Sequence, residues 1–132
     1  MEDTLTLLKA LADETRLRVV SLLREAEDLC SCEIEAVLGL TQSNTSRHLT
    51  RLRYAGLVRS YKRGQWVHFR LDTETWSRHT YLARIVESAR ADLPGAGGDL
   101  DRLRSYRASG FTCATIDQWA AENPPLFEAY GQ

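Results

Sequence analysis

The chain lacks any hydrophobic run long enough to span a membrane, and cysteine, proline and methionine are all scarce in it. None of its apolar stretches approaches the roughly 18 residues that a spanning helix needs. Its first residues, Met1-Glu2-Asp3-Thr4, are acidic and do not have the layout of a signal peptide. We therefore expect a cytoplasmic protein with no membrane partner.

Three cysteines are too few, and odd in number, for a disulfide framework. In a chain without an export signal, thiols more often serve metal binding or redox chemistry. The rest of the composition is ordinary, because 43% hydrophobic residues are enough to build one packed core. A length of 132 residues favours one domain with an appended tail.

The net charge of −1 conceals a strong segregation of charge along the chain. Residues 41–70 contain no aspartate or glutamate, whereas the rest of the chain holds ten basic and 18 acidic residues. The basic residues of this acid-free window are Arg47, Arg51, Arg53, Arg59, Lys62, Arg63 and Arg70. A solvated basic face would be the bland interpretation, but an acid-free window of this length favours a polyanionic partner.

Hydrophobic periodicity and turn residues predict a mainly α-helical fold with one β-hairpin. The predicted helices and strands cover about 3–12, 14–25, 31–38, 41–55, 57–62, 66–71 and 72–91. The third and fourth helices are joined by a tight turn at Gly39 and form a helix-turn-helix, to which the hairpin adds a wing. The fold class is therefore a winged helix-turn-helix of order α-α-α-α-β-β-α with a C-terminal tail.

The chain divides, in this interpretation, into a DNA-binding and dimerisation domain over 1–93 and a partly helical extension over 94–132. Residues 94–98 are rich in proline and glycine and predict a flexible linker. Thr115 and Gln118 fit a capping box, which predicts a short helix ending near Glu122.

The start of the fourth helix carries the groups that read base edges and phosphates in a major groove. These candidate DNA-binding residues are Gln42, Ser43, Asn44, Thr45, Ser46, Arg47 and His48. On the wing, Lys62, Arg63 and Gln65 could reach a neighbouring phosphate or the minor groove. The sequence leaves open which of these residues contact bases and which contact phosphates.

One winged helix offers few contacts, whereas a symmetric pair can occupy two half-sites about 34 Å apart on double-stranded DNA. We therefore expect a homodimer. The apolar residues left over for pairing are Leu5, Leu8, Leu82, Ile85, Val86 and Ala89. Packing inside one subunit is the alternative for each of them.

Cys30-Ser31-Cys32 lies at the start of the third helix, directly behind the predicted reading helix. Residues two apart on a helix point about 200° apart, so the pair can hold one ion only if Cys30 precedes the helix proper. Thiolates select soft ions, and two are too few for a tight site. Cys113 is the candidate third ligand, from either subunit; the alternative is a residue that packs the tail.

Four stretches of this sequence resemble the ArsR/SmtB family of metal-responsive repressors. They are Leu11-Ala12-Asp13-Glu14-Thr15-Arg16-Leu17, Leu29-Cys30-Ser31-Cys32-Glu33-Ile34, Gln42-Ser43-Asn44-Thr45-Ser46-Arg47-His48-Leu49 and Gly64-Gln65-Trp66-Val67-His68-Phe69-Arg70-Leu71. The resemblance covers about residues 4–92. It implies a dimeric winged-helix repressor that metal binding releases from its operator.

The thiol signature resembles the arsenic- and antimony-responsive branch of that family in particular. In that branch Cys30 and Cys32 match the ligand pair, whereas Glu35 stands where a further cysteine is common. The family's zinc site on paired fifth helices needs a histidine and acid pattern, and His79 is the only histidine in this region.

The sequence thus predicts a DNA-binding repressor, not an enzyme, that is released by As(III) or Sb(III), with Cd(II), Pb(II) or Zn(II) as the next candidates. A thiol redox switch on the same fold is the alternative. An enzyme with a cysteine nucleophile is disfavoured, because no base lies near Cys30 in the sequence and its acidic surroundings raise a thiol pKa.

Overall fold

Short polar side chains begin most of the helices, as the sequence predicts. In the computed structural model, which describes residues 3–125, the carboxylate of Asp3 accepts from the backbone N–H of Thr6 at 2.8 Å. Asp13 accepts from the N–H of Arg16 at 3.0 Å. Such caps satisfy backbone donors that have no partner inside a helix. They fix where these two helices begin.

The described residues form eight helices and three strands. The elements are α1 Thr4–Leu11, α2 Glu14–Ala26, β1 Leu29–Cys30, α3 Ser31–Leu38, α4 Gln42–Tyr54, β2 Val58–Arg63, β3 Trp66–Leu71, α5 Thr73–Arg78, α6 Tyr81–Asp92, α7 Ala96–Ser109 and α8 Ile116–Glu122. The helix-turn-helix is α3 and α4, joined at Gly39, whose φ of +72° is a conformation that favours glycine. The predicted winged helix-turn-helix is confirmed.

The wing is an antiparallel hairpin of β2 and β3 that turns at Gly64. A third strand, β1, pairs antiparallel with β3, so the sheet order is β1-β3-β2. The sequence prediction missed β1, because a strand of two residues is too short to show any periodicity.

Two further predictions about the second half of the chain were wrong in detail. The single helix over 72–91 is two helices, α5 and α6, with the break at His79 and Thr80. Of the flexible linker predicted over 94–98, only Pro94 and Gly95 lie outside a helix, because α7 begins at Ala96 despite two following glycines. The short helix near Glu122 is confirmed as α8.

One hydrophobic core includes side chains from α1 to α8. Fully buried members of the first half include Leu7, Val19, Ile34 and Leu52. Leu103, Tyr106, Ile116 and Trp119 of α7 and α8 belong to the same cluster. The free energy gained by burying these side chains offsets the unfavourable helix propensity of the glycines in α7. The proposed division at residue 93 stays a prediction, and residues 126–132 of the extension lie outside the described part.

A buried ion pair fastens α7 to α2. The guanidinium of Arg18 donates from Nε and Nη2 to the two carboxylate oxygens of Asp99, both at 2.8 Å. The same Nη2 donates to the carbonyl of Leu38 at the end of α3, at 3.0 Å. This bidentate geometry is the strong form of a charged hydrogen bond, and it joins three helices at one point.

Two arginines of α7 also bind backbone carbonyls, at the C-terminal ends of neighbouring helices. Arg102 donates to the carbonyls of Ala36 and Val37, at 2.9 and 2.8 Å, and Arg107 donates to that of Ala26 at 2.9 Å. Cations at these positions satisfy carbonyls without an intrahelical partner and complement the helix dipole. The extension is thereby fixed to α2 and α3.

We predict that Asp99→Asn destabilises the protein by about 3 kcal/mol, because it leaves the buried Arg18 guanidinium without its carboxylate. Urea unfolding measures this loss. Asp101→Asn is the matched control, since Asp101 forms an exposed pair with Arg104 and should change the free energy of unfolding by less than about 0.5 kcal/mol. Equal effects of the two substitutions would contradict the role given to the buried pair.

His48 of α4 is buried, and this burial lowers the pKa of its imidazole. The unfolded chain therefore binds more protons than the folded chain below about pH 6.5, and the free energy of unfolding rises with pH through this range. We predict a shallower rise in His48→Gln, measured by urea unfolding between pH 5 and 7. His79→Gln controls for loss of an imidazole elsewhere, and identical slopes in wild type and His48→Gln would refute the prediction.

Candidate thiol centre and nucleic-acid interface

The three cysteines of the chain lie together, although 81 residues separate Cys32 from Cys113. All three Sγ atoms lie within 4.8 Å of one another, and those of Cys30 and Cys32 are 2.8 Å apart. Thiolates bound tetrahedrally at 2.3 Å would be about 3.8 Å apart. The sulfurs of Cys30 and Cys32 would therefore have to separate by about 1 Å to hold a single ion together with Cys113.

The backbone at Cys30 is what brings the first two sulfurs together. Cys30 ends β1 and is the N-cap of α3, with an extended backbone at φ −78° and ψ 161°. Cys32 is the second residue of α3. Because Cys30 precedes the helix, the two side chains are not held about 200° apart.

The third sulfur comes from the loop between α7 and α8 of the same chain. Cys113 is half-buried, and its carbonyl is 3.9 Å from the Sγ of Cys32. The structure thus places all three sequence-predicted metal ligands in one cluster. Within residues 3–125, no histidine or carboxylate joins them in a group of metal-binding geometry.

Two of the three cysteines favour the neutral thiol over the thiolate. Burial raises the pKa of the Cys30 thiol well above its ordinary range, and the neighbouring thiols of Cys113 and Cys32 raise it further. Burial also raises the pKa of Cys113 to about 11. Cys30 and Cys113 therefore hold their protons at neutral pH.

Glu33 and Tyr106 position the thiol loop, and sequence reasoning missed both. The carboxylate of Glu33 accepts from the backbone N–H of Cys30 at 2.8 Å and from the hydroxyl of Tyr106 at 2.5 Å. It thereby joins the start of α3 to α7. Glu33 stands at the third helical position, where a carboxylate often caps a helix, so the contact of Glu33 with the backbone of Cys30 could have been predicted from the sequence. Tyr106 carries no local signal.

An open cavity of about 400 Å³ lies beside the cluster, between the wing and the extension. The residues that line it are Asp28, Glu33, Arg63, His68, Tyr106, Arg107, Phe111, Thr112 and Cys113. Solvent and small solutes can therefore reach the thiol of Cys113 from outside.

The exposed face of α4 carries most of the predicted DNA-reading residues. Gln42, Ser43, Ser46 and Arg47 are exposed, and Asn44 is half-buried. Asn44 accepts from the guanidinium of Arg47 at 2.5 Å. On the wing, the exposed residues Lys62, Arg63 and Gln65 lie at the hairpin turn.

The structure corrects the predicted reading surface at two positions, Thr45 and His48. Thr45 is 0% exposed and His48 4% exposed, because both lie on the face of α4 that packs into the core. The hydroxyl of Thr45 donates to the carbonyl of Thr41 at 2.9 Å. Helical periodicity places positions 45, 48, 49 and 52 on one inward stripe.

The predicted dimer interface also needs correction. Leu82 and Val86 are 0% exposed within a single chain, and Ala89 is buried as well, so these side chains have no surface to offer a second copy. Leu5 is 62% exposed, Leu8 is exposed too, and Ile85 is half-buried. These last three residues stay predictions. Across residues 3–125, no helix has the length and apolar content needed to cross a bilayer.

Comparison with known proteins agrees with this geometry. The family model described as bacterial regulatory protein, arsR family, matches residues 13–60. The arsenical resistance operon repressor of Escherichia coli K12 is 43% identical over 83 residues, which are 63% of this chain and 68% of that protein. ArsR1 of Pseudomonas putida KT2440, an arsenic resistance transcriptional regulator, is 46% identical over 50% of this chain and 52% of its own length.

A cadmium resistance regulatory protein, CadC of Listeria innocua, is 38% identical over 46% of this chain and 51% of its own length. The chain therefore spans only about half of two of these relatives.

Two solved structures share the fold. The homodimeric winged helix-turn-helix domain of Mb0332 from Mycobacterium bovis has a TM-score of 0.56 at 26% identity, over 64% of this chain and 77% of that one. The antimony-specific transcriptional repressor AntR has a TM-score of 0.53 at 28% identity, over 67% and 80%. Sequence and fold therefore agree, and the chain belongs to the arsR family of bacterial regulatory proteins.

Proposed function

We propose that this protein is a homodimeric transcriptional repressor that leaves its operator DNA when As(III) or Sb(III) binds Cys30, Cys32 and Cys113. The observation that carries this proposal is the cluster of three sulfurs within 4.8 Å of one another. Two of them flank the start of the helix that packs behind the reading helix. A ligand there acts close to the DNA-binding surface.

The donor set supports a soft, thiophilic ligand. Thiolates select soft ions, whereas harder cations prefer carboxylate and carbonyl oxygens. The nearest acidic side chain, that of Glu33, already accepts two hydrogen bonds from Cys30 and Tyr106. Three sulfurs with no oxygen donor suit arsenic and antimony first and cadmium next, with lead and zinc after them.

The proton balance supports a trivalent metalloid over a divalent cation. Neutral arsenous acid reacts with three thiols to form three S–As bonds, and each thiol proton leaves with a hydroxide as water. A divalent cation must instead expel protons into solution. Because burial raises the pKa values of Cys30 and Cys113, that expulsion is costly here.

The ligands in the names of the relatives fit the same order of preference, with arsenic and antimony before cadmium. The repressor of E. coli is an arsenical resistance protein, AntR is antimony-specific, and the Listeria relative is a cadmium resistance regulator. We extend the first two assignments to this chain, since its third thiol completes an all-sulfur site. The third ligand comes from the same chain in this proposal, because Cys113 reaches the cluster through its own α7.

The DNA-binding half of the proposal stands on charge and exposure. Residues 41–70 hold seven basic residues and no acidic one, and the helix start and the wing tip of this window are exposed. We propose that Gln42, Ser43, Asn44, Ser46 and Arg47 contact the major groove and that the wing tip contacts an adjacent phosphate.

A thiol redox switch is the weaker alternative. Thiolates, not thiols, react with peroxide, so the raised pKa values of Cys30 and Cys113 slow that chemistry. Peroxide alone should therefore leave the operator complex intact at concentrations at which arsenite releases it.

We predict that Cys30→Ser and Cys32→Ser keep wild-type operator affinity but shift the arsenite concentration for half-release upward by at least tenfold. Cys113→Ser should shift it less, because it leaves the adjacent pair of Cys30 and Cys32 intact. Operator-shift titration with arsenite, cadmium and zinc measures this. Ser31→Ala, between the two thiols, is the matched control and should respond like wild type. Unchanged release by arsenite in both Cys30→Ser and Cys32→Ser would remove the metalloid assignment.

We predict that operator affinity falls steeply with salt and that Arg47→Met or Lys62→Met each reduces the slope of log affinity against log salt by about 1. Fluorescence anisotropy over a salt series measures the slope. Arg104→Met is the control, since Arg104 is exposed on α7, outside the acid-free window. A slope that responds equally to all three substitutions would argue against the proposed DNA-binding face.

A further inference from the structure

We infer that the wing receives the ligand signal directly, through the segment Asp28-Leu29-Cys30, with Asp28 as the positioning residue that couples the thiol cluster to both wing strands. The inference rests on the function proposed above and specifies how that site is regulated. It differs from the route through α3 to the reading helix α4 that sequence position alone favours.

The backbone makes the first connection. Cys30 is the antiparallel partner of His68, and Leu29 is the partner of Phe69. The residue that supplies the first sulfur is therefore also a member of the wing sheet. A shift of the Cys30 backbone cannot occur without a shift of β3 unless their hydrogen bonds break, and such a break is costly in a buried strand. Cys30 and His68 are both buried.

The side chain of Asp28 makes the second connection. One carboxylate oxygen lies 2.7 Å from Nδ1 of His68 on β3, and the other accepts from the hydroxyl of Tyr61 on β2. Tyr61 and His68 are themselves partners across the hairpin, and their rings stack with centroids 5.5 Å apart. One carboxylate, two residues before the first thiol, thus contacts both wing strands.

The position of the cavity beside the cluster indicates the direction in which ligand binding would move the wing. Arg63 and His68 of the wing line one side of it, and Cys113 and Arg107 of the extension line the other. Arg107 also donates to the backbone carbonyl of Asp28 at 3.3 Å. A ligand that draws Cys113 toward Cys30 therefore acts across the space between the extension and the wing.

The far end of α3 is poorly placed to carry the movement. Arg102 binds the carbonyls of Ala36 and Val37, and Arg18 binds that of Leu38. These contacts fix the end of α3 that leads into α4. Displacement on ligand binding is then concentrated at the start of α3, where β1 joins the wing. The wing tip, with Lys62 and Arg63, would leave its phosphate contacts first.

Tyr61→Phe tests the inference with little disturbance, because it removes one hydroxyl from Asp28 and keeps a ring to stack on His68. We expect the arsenite affinity of the free protein and the operator affinity without arsenite to stay within about threefold of wild type. The ratio of operator Kd with arsenite to that without it should fall about tenfold. Asp28→Asn should lower this ratio at least as far.

Arg47→Met on α4 is the matched control, because the inference leaves the DNA contacts of α4 in place when arsenite binds. It should weaken operator binding equally with and without arsenite, so its Kd ratio should equal that of wild type. Amide chemical shifts give a second readout. Arsenite should move the signals of residues 58–71 in wild type and move them much less in Tyr61→Phe.

A wild-type Kd ratio in both Tyr61→Phe and Asp28→Asn would overturn the inference and leave the proposed function standing. The same holds if arsenite moves signals of α4 but not those of the wing. Wild-type protein that fails to bind arsenite, or binds it without releasing DNA, would overturn the proposed function and this inference together. Should Asp28→Asn fail to fold, Tyr61→Phe alone decides between these outcomes.

Discussion

The buried pair of Arg18 and Asp99 is the interaction on which the thiol centre depends. A charge pair out of contact with water stabilises only when its geometry is good and its hydrogen bonds are satisfied, and here the guanidinium meets both carboxylate oxygens at 2.8 Å. The pair fixes the start of α7 against α2. Fourteen residues along the chain, Cys113 consequently lies beside Cys30 and Cys32. Without this docking, the chain would have two neighbouring thiols and no third.

The same burial that builds the site also sets its chemistry. Burial removes water from the thiols of Cys30 and Cys113, and loss of hydration favours neutral thiols over thiolates. An exposed three-cysteine site would take divalent soft cations readily, because its protons would leave at little cost. Here the arrangement favours a ligand that arrives neutral and leaves water behind. In the proposed function, selectivity thus depends on the extension, since it supplies the third sulfur.

The sequence predicted what local patterns encode. Asp13 and Gly39 mark helix ends, the stripe of α4 marks an inward face, and Gly64 marks the wing turn, so the winged helix-turn-helix was readable. The same stripe should have excluded Thr45 and His48 from the reading surface, because periodicity already placed them inward. Burial of Leu82 within one subunit could not be predicted, since an apolar stripe does not show whether the same chain or a second copy packs against it. Helix α7 was missed because its glycines predict a linker, whereas its stability comes from tertiary contacts such as that of Asp99.

The extension is fixed to the two helices on either side of the thiol segment. Arg102 and Arg107 bind backbone carbonyls of α3 and α2, and Arg18 of α2 binds Asp99 of α7. Closure of three sulfurs on a ligand would work against these contacts. The segment between α2 and α3 begins at Glu27, whose φ of +71° is a left-handed value that disfavours a non-glycine residue. The backbone that leads to Cys30 is therefore strained. Since Asp28 and Cys30 both contact the wing, a shift at the thiols would, in the inference drawn above, reach the wing tip.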